Sequence, residues 1–162
     1  METCNIIRKV PAETRFISPP TLTLRGGSLL AAGLINMIFV FGGSFQGKTD
    51  FVKKTFSLSD EDIFVPEDGM TDFDTDRKAI IHIERFILSR IEASLPVFDW
   101  FDEHMEMFRD RIVVCDDISC GVVPIEKTLR LYRDNVGKQM QIFSRESEAV
   151  YRVYAGIGEK LK

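Results

Sequence analysis

The chain has 162 residues, of which 44% are hydrophobic and 28% are charged, and its formal net charge is -4. This length suits one domain with a single core and is too short for two large domains. The composition excludes a low-complexity chain, and the acidic balance gives no basic field for binding nucleic acid.

Residues 1–36 contain scattered prolines and glycines and show no sustained period of 2 or 3.6 residues. We expect these residues to form an N-terminal extension that is either poorly structured or the product of an upstream start codon. The domain itself is expected to cover residues 37–162. The apolar run at residues 28–41 is not interpreted as a signal peptide or membrane span. Asn36 interrupts this run, which is shorter than the roughly 20 residues that cross a bilayer.

The domain is expected to begin with a strand and a helix. Residues 38–41 are apolar and precede two glycines, which predicts a short buried parallel strand. Residues 49–56 are predicted to form the helix that the strand feeds. A second short strand is predicted at residues 62–66, and an acidic loop follows it at residues 67–76.

The middle of the chain is predicted to contain two helices and a strand. Apolar residues spaced three and four apart predict a helix over residues 75–93. The residues of this apolar stripe are Ile80, Ile83, Ile87 and Ile91. Pro96 suits the first turn of the next helix, whose expected buried face is Phe98, Phe101, Met105 and Phe108. The apolar run that follows predicts a strand over residues 111–117.

The last third of the chain is predicted to be a long helix and a final strand. Pro124 suits the start of a helix over residues 124–145, with the stripe Ile125, Leu129, Tyr132, Val136, Met140 and Phe143. Residues 149–157 are predicted to form the last strand. Alternating strands and helices of these lengths predict an α/β fold with a mostly parallel sheet and helices on both faces.

A glycine-rich loop lies between the first strand and its helix and satisfies the pattern G-x-x-x-x-G-K-[ST]. Its residues are Gly42, Gly43, Ser44, Phe45, Gln46, Gly47, Lys48 and Thr49. The glycines allow backbone N–H groups to point at phosphate oxygens, and the start of the helix adds its positive dipole. Lys48 is expected to bind the β- and γ-phosphates, and the Thr49 hydroxyl to bind Mg²⁺. The pattern therefore predicts a nucleotide site of the P-loop NTPase type.

Such a site also requires a carboxylate at the end of a neighbouring strand. The run "IVVCDD" supplies Asp116 and Asp117. We predict that both take part in catalysis and that Asp116 binds Mg²⁺. For Asp117 the alternative, that it only ends the strand before a turn, is left open.

The histidines and cysteines are not predicted to be catalytic. His82 lies off the apolar stripe of its predicted helix, which favours an exposed position, and His104 is expected at the boundary of a packed face. The three cysteines, Cys4, Cys115 and Cys120, are an odd number without CxxC spacing and indicate neither a disulfide framework nor a zinc site. This usage is typical of a cytoplasmic protein.

Three segments resemble the adenosylcobinamide kinase / adenosylcobinamide-phosphate guanylyltransferase family. The segment "CDDISCGVVP" at residues 115–124 resembles the Asn-Glu-x-Gly-x-Gly-x-x-Pro motif of that family. Arg133, Asp134 and Gly137 resemble its Arg-Asp-x-x-Gly helix segment, and "AGIGEKLK" at residues 155–162 resembles its carboxyl end. With the glycine loop, the resemblance runs in order over residues 37–162.

The resemblance implies a P-loop α/β fold and a place in late cobalamin assembly. The family phosphorylates the aminopropanol hydroxyl of adenosylcobinamide with ATP or GTP, and then transfers GMP from GTP onto that phosphate. Both nucleotides stay open as donors here, because no base-reading N-K-x-D motif is present. The expected partners are a corrinoid substrate and a nucleotide. We expect the protein to bind neither nucleic acid nor a membrane. The family resemblance also implies a homotrimer.

Several departures from the family pattern bear on the second reaction. The family's guanylyl transfer passes through a histidine in a basic segment after the second strand, and the acidic residues 67–76 stand there instead. Asp116 and Asp117 replace Asn and Glu, Ser119 replaces a glycine, and Met140 replaces an asparagine. Three readings follow, in descending order of preference: a cobinamide kinase without guanylyl transfer, a bifunctional enzyme with another nucleophile, and a non-catalytic nucleotide-binding subunit.

Overall fold

The computed structural model of the protein describes residues 35–119 and 123–162. Its strands are β1 (Ile35–Gly42), β2 (Ile63–Phe64), β3 (Ala79–Ile81), β4 (Ile112–Asp116), β5 (Ser147–Tyr154) and β6 (Ile157–Lys160). Its α-helices are α1 (Lys48–Phe56), α2 (Ile83–Glu92), α3 (Val97–Glu103) and α4 (Lys127–Glu146). Short 3₁₀ turns occur at Asp60–Asp62 and Met105–Phe108.

Some of the sequence predictions concern residues outside the described part of the chain. Apart from its last two residues, the predicted extension at residues 1–36 lies outside it, as do Cys4 and Cys120. The strand β1 begins at Ile35 and so is longer than the predicted strand at residues 38–41. None of the described helices is long and apolar enough to cross a bilayer.

The strands form one six-stranded sheet in the order β2-β3-β4-β1-β5-β6. Every neighbouring pair is parallel except β5 and β6, which are antiparallel. The predicted α/β class with a mostly parallel sheet is confirmed. Because β1 lies between β4 and β5, the residues that follow β1 meet the carboxyl end of β4 at one edge of the sheet.

Helices cover both faces of the sheet, and each face has its own apolar cluster. On one face, α2, α3 and α4 pack on β1 and β4 through Phe86, Phe101 and Phe143, all of which are completely buried. On the other face, α1 packs through Val52 against Val40 and residues of the neighbouring strands. Alternate residues of the central strands serve the two clusters, since successive side chains of a strand point to opposite faces.

The helix predicted over residues 75–93 is wrong in its first half. Residues Ala79–Ile81 form β3, and the helix α2 begins only at Ile83. All three residues of β3 are buried, because Ile80 faces one cluster while Ala79 and Ile81 face the other. A strand that is buried on both faces does not alternate apolar and polar residues. The spacing of three between Ile80 and Ile83 therefore matched the pattern of an amphipathic helix.

The last predicted strand is also wrong, because residues 149–157 do not form one continuous strand. The chain turns at Ala155 and Gly156, and β6 returns antiparallel to β5. Both turn residues have positive φ, 49° and 79°. This conformation matches the two-residue turns that join twisted strands in hairpins.

Two helix predictions need smaller corrections. The long helix begins at Lys127 instead of Pro124, and the first residue of its predicted stripe, Ile125, is 97% exposed. In α3 the side chain of Trp100 is buried, whereas Phe98 is only half-buried. The predicted apolar face of this helix does not include Trp100.

Candidate active site

The glycine loop connects the end of β1 to the start of α1, as the sequence predicts. Gly42 has no room for a side chain, because a Cβ atom there would lie 2.2 Å from the carbonyl oxygen of Val153 on β5. Gly47 precedes the helix with a φ of 79°, a left-handed conformation that glycine adopts without strain. Phe45, at the tip of the loop, is fully exposed.

Contacts with the β5–β6 turn brace the loop from one side. The backbone N–H of Gly156 donates to the carbonyl oxygen of Gln46 at 2.8 Å. The backbone N–H of Ala155 donates to the side-chain oxygen Oε1 of Gln46 at 2.7 Å. Gln46 therefore ties the conformation of the loop to the carboxyl-terminal hairpin.

Lys48 is the first residue of α1, and its side chain is buried despite its charge, with 5% exposed. Its ammonium donates to the carbonyl oxygen of Gly43 at 2.8 Å and lies 2.6 Å from Oδ1 of Asp116. A buried ammonium needs such partners, because burial of an unpaired charge is costly. Thr49 follows Lys48 in the first turn of α1 and is half-buried.

Asp116 is the last residue of β4 and lies beside Gly42 in the parallel register of β1 and β4. The hydroxyl of Ser44 donates to its Oδ2 at 2.6 Å. The structure thus brings together Ser44, Lys48 and Asp116, three of the residues that the sequence proposes for the site.

Asp117 lies at the same edge of the sheet. Its backbone N–H donates to the carbonyl oxygen of Gly42 at 2.8 Å. Its carboxylate accepts hydrogen bonds from the backbone N–H of Ser119, at 2.9 Å, and from the Ser119 hydroxyl. These two bonds form a local turn after β4, which fits the alternative role considered for Asp117.

Two further polar residues reach the site from the end of β3, which neighbours β4. His82 follows β3 directly, and Glu84 lies in the first turn of α2 with 4% of its surface exposed. Oε1 of Glu84 lies 2.8 Å from Nδ1 of His82, and Oε2 accepts the backbone N–H of Asp116 at 3.0 Å. Nδ1 of His82 lies 3.8 Å from Oδ1 of Asp116.

The expectation that His82 occupies the exposed face of a helix is therefore wrong. The residue caps α2 in a left-handed conformation with a φ of 61°, and 38% of its side chain is exposed. The hydrogen bond to Glu84 raises the pKa of His82 above its ordinary value, and burial opposes this rise. Recognition of residues 79–81 as a strand would have placed His82 and Glu84 at this edge, because parallel strands end together there.

The remaining histidine and the described cysteine take no part in this arrangement. His104 stacks on Trp100 with ring centroids 4.4 Å apart, and its Nδ1 lies 2.8 Å from the carbonyl oxygen of Trp100. This agrees with the packing position expected from the sequence. Cys115 is buried within β4, and burial raises the pKa of its thiol well above the ordinary value, so a nucleophilic thiolate is disfavoured there.

The site therefore combines a glycine loop, a helix N-terminus, a buried lysine and two buried carboxylates. Backbone N–H groups at a helix start and a lysine ammonium are suited to bind anions, above all phosphate. Carboxylate oxygens and a hydroxyl beside them are ligands that Mg²⁺ prefers.

Comparison with known families bears on the carboxyl-terminal part of the chain. Residues 89–161 match the family model described as cobinamide kinase / cobinamide phosphate guanyltransferase. The matched segment contains Asp116 and Asp117, and it ends before the last residue of the chain. The match supports the family assignment that the sequence resemblance suggested, while the glycine loop, His82 and Glu84 lie before its first residue. No curated protein matches the chain.

Proposed function

We propose, from the match of residues 89–161 to the cobinamide kinase / cobinamide phosphate guanyltransferase family, that the protein is a cobinamide kinase. The match supports a transferase of cobalamin biosynthesis, and the kinase reaction is the finer proposal. The phosphoryl donor would be ATP or GTP, and the acceptor would be the aminopropanol hydroxyl of adenosylcobinamide. The observation that carries this proposal is the buried ammonium of Lys48 between the glycine loop and Asp116.

The proposed binding of the triphosphate follows from the residues that surround Lys48. The loop that ends at Gly47 and the first turn of α1 would offer backbone N–H groups to the phosphate oxygens. Lys48 would leave Asp116 for the β- and γ-phosphates, since these carry more negative charge than one carboxylate. Phosphoryl transfer depends mainly on positioning and on charge stabilisation, which this arrangement is suited to supply.

Asp116 and Thr49 would hold the Mg²⁺ that accompanies the nucleotide. The fit rests on the buried Oδ1 of Asp116, whose negative charge is paired with the Lys48 ammonium at 2.6 Å. An anionic oxygen in this state can accept a hard cation once Lys48 has moved to the phosphates. The ion would neutralise charge that develops on the β- and γ-phosphate oxygens.

A second candidate function is guanylyl transfer, and the position of His82 favours it. The family resemblance implies a histidine that carries GMP, and His82 lies 3.8 Å from Asp116 at the edge that holds the glycine loop. Glu84 orients the imidazole through Nδ1, which leaves Nε2 as the nitrogen for attack on an α-phosphate. The kinase alone remains the preferred proposal, because the acidic segment at residues 67–76 replaces the basic segment of the family.

We also propose that the protein acts in the cytoplasm and forms a homotrimer. The cytoplasmic location rests on the cysteine usage of the chain, and the trimer rests on the family resemblance.

The test is incubation of the purified protein and Mg²⁺ with adenosylcobinamide and either ATP or GTP labelled at the γ-phosphate. Chromatography would then separate cobinamide, its phosphate and its GDP ester. We expect label in cobinamide phosphate. In a control reaction without adenosylcobinamide, we expect no label at the chromatographic position of cobinamide phosphate. Absence of labelled corrinoid with both nucleotides would contradict the kinase proposal.

A further inference from the structure

Three side chains from the ends of β3 and β4 place one donor atom each within a small volume. Nδ1 of His82 and one carboxylate oxygen each of Glu84 and Asp116 all lie within 4.8 Å of one another. Nδ1 lies 2.8 Å from Oε1 of Glu84 and 3.8 Å from Oδ1 of Asp116. Neighbouring ligands around one divalent cation are about 3 to 3.5 Å apart when each bond is about 2.1 Å, so small movements would bring the three donors to a common ion.

The charge of this cluster favours a cation. Glu84 and Asp116 are both buried, with 4% and 8% of their surfaces exposed. The contacts of these two carboxylates include one ammonium, that of Lys48. Two carboxylates face one ammonium, so a positive charge at His82, carried either by a proton or by a bound cation, would balance the cluster.

We propose that His82, Glu84 and Asp116 form a binding site for a first-row transition cation such as Mn²⁺ in the nucleotide-free protein. The imidazole nitrogen distinguishes this ligand set from the oxygen set proposed for nucleotide-bound Mg²⁺, with which it shares Asp116. Nitrogen ligands favour manganese, cobalt and zinc ions over magnesium, which prefers oxygen. The cation would bind Nδ1 in place of a proton. An imidazolium would release that proton to solvent, whereas a neutral imidazole would keep its one proton on Nε2.

Lys48 competes for the same carboxylate. Its ammonium lies 2.6 Å from Oδ1 of Asp116, the atom that faces His82. A bound cation would repel this ammonium, so removal of the ammonium should tighten cation binding. A merely structural hydrogen-bonded cluster would instead become less ordered when Lys48 is removed and would gain no affinity for a metal.

The test uses the full chain with Mn²⁺ alone, without nucleotide or corrinoid, followed by electron paramagnetic resonance. We expect one Mn²⁺ per chain with the nitrogen coupling of a single imidazole in the pulsed spectrum, and no displacement by an equal concentration of Mg²⁺. His82→Asn should abolish the nitrogen coupling, because asparagine tolerates the left-handed backbone at this position but has no imidazole. Glu84→Gln should weaken binding at least tenfold, and Lys48→Met should strengthen it.

The matched control is His104→Ala, which removes the other histidine of the chain at a position stacked on Trp100. This variant should keep both the nitrogen coupling and the affinity. Circular dichroism would confirm that each variant is folded. Lack of nitrogen coupling in both the parental protein and Lys48→Met, or its persistence in His82→Asn, would overturn the proposal. Because the measurement involves no phosphoryl transfer, its failure is distinct from failure of the kinase proposal.

Discussion

The ammonium of Lys48 lies 2.6 Å from the carboxylate of Asp116 and joins the first turn of α1 to the end of β4. The two residues are far apart in sequence, and both are buried. The parallel pairing of β1 with β4, in which Gly42 lies beside Asp116, brings them together. This ion pair links the loop proposed to bind phosphate with the carboxylate proposed to bind Mg²⁺.

Lys48→Ala should reduce cobinamide phosphorylation by orders of magnitude, because the ammonium is proposed to stabilise charge on the transferred phosphoryl group. Initial rates with labelled nucleotide would measure the loss. Lys53→Ala is the matched control, since Lys53 lies on the same helix and pairs at the surface with Asp60. Near-parental turnover in a folded Lys48→Ala protein would contradict the assignment of this loop.

Asp116→Asn and Asp117→Asn should differ strongly in activity. The first change removes the charge that faces Lys48, and we expect a loss of about 100-fold in phosphoryl transfer. The second affects a carboxylate that bonds to the turn at Ser119, so we expect a loss below about tenfold. Steady-state kinetics with varied Mg²⁺ would compare the two variants. Equal losses would show that Asp117 has the catalytic role first predicted for it.

Gly42→Ala and Gly137→Ala should change the free energy of unfolding in opposite directions. A Cβ atom at Gly42 would lie 2.2 Å from a backbone carbonyl oxygen, and such overpacking costs about 1 to 3 kcal/mol. A Cβ atom at Gly137, inside α4, would meet no atom within 4 Å, so alanine should stabilise the helix by about 0.5 to 1 kcal/mol. Urea unfolding followed by circular dichroism would measure both changes. Similar stabilities for the two variants would contradict the close approach of β5 to the loop.

Incubation with GTP and Mg²⁺ should leave no GMP on a histidine. The acidic residues 67–76 stand where the family has its basic segment, and they would repel a triphosphate. A cation on Nδ1 of His82 would in addition keep the imidazole proton on Nε2, which would then have no lone pair for attack. Intact-protein mass spectrometry would detect an adduct of GMP mass. An adduct that is lost in His82→Asn and retained in His104→Ala would establish His82 as the acceptor and favour the bifunctional enzyme.

Removal of residues 1–34 should leave a folded protein that binds nucleotide, because β1 begins at Ile35. Removal of residues 1–36 should be less well tolerated, since it deletes two residues of that strand, and Ile35 pairs with Ser147 of β5. Thermal unfolding of both truncated chains would test this difference. Loss of cooperative unfolding after the shorter truncation would show that the N-terminal segment contributes to the domain.

The sequence by itself determined the elements whose signals are local. The apolar run before Gly42 predicted β1, and the run that ends at Asp116 predicted β4, because continuous apolar residues bounded by turns or charges are typical of buried parallel strands. The spacing of Gly47, Lys48 and Thr49 predicted the loop and the start of α1. These patterns also indicated the α/β class that the sheet confirms.

Only the tertiary structure decided which residues meet at the site. Strand β3 has three residues, too few for a period to separate them from the helix that follows. The sequence pattern therefore placed His82 and Glu84 within a helix. The pairing of β3 with β4 instead brings them beside Asp116. Phe73 similarly lies within the predicted acidic loop, yet its side chain is buried among Phe64, Phe86 and Trp100. These positions depend on contacts between segments that are distant in sequence. The strand and helix propensities of neighbouring residues do not determine such contacts.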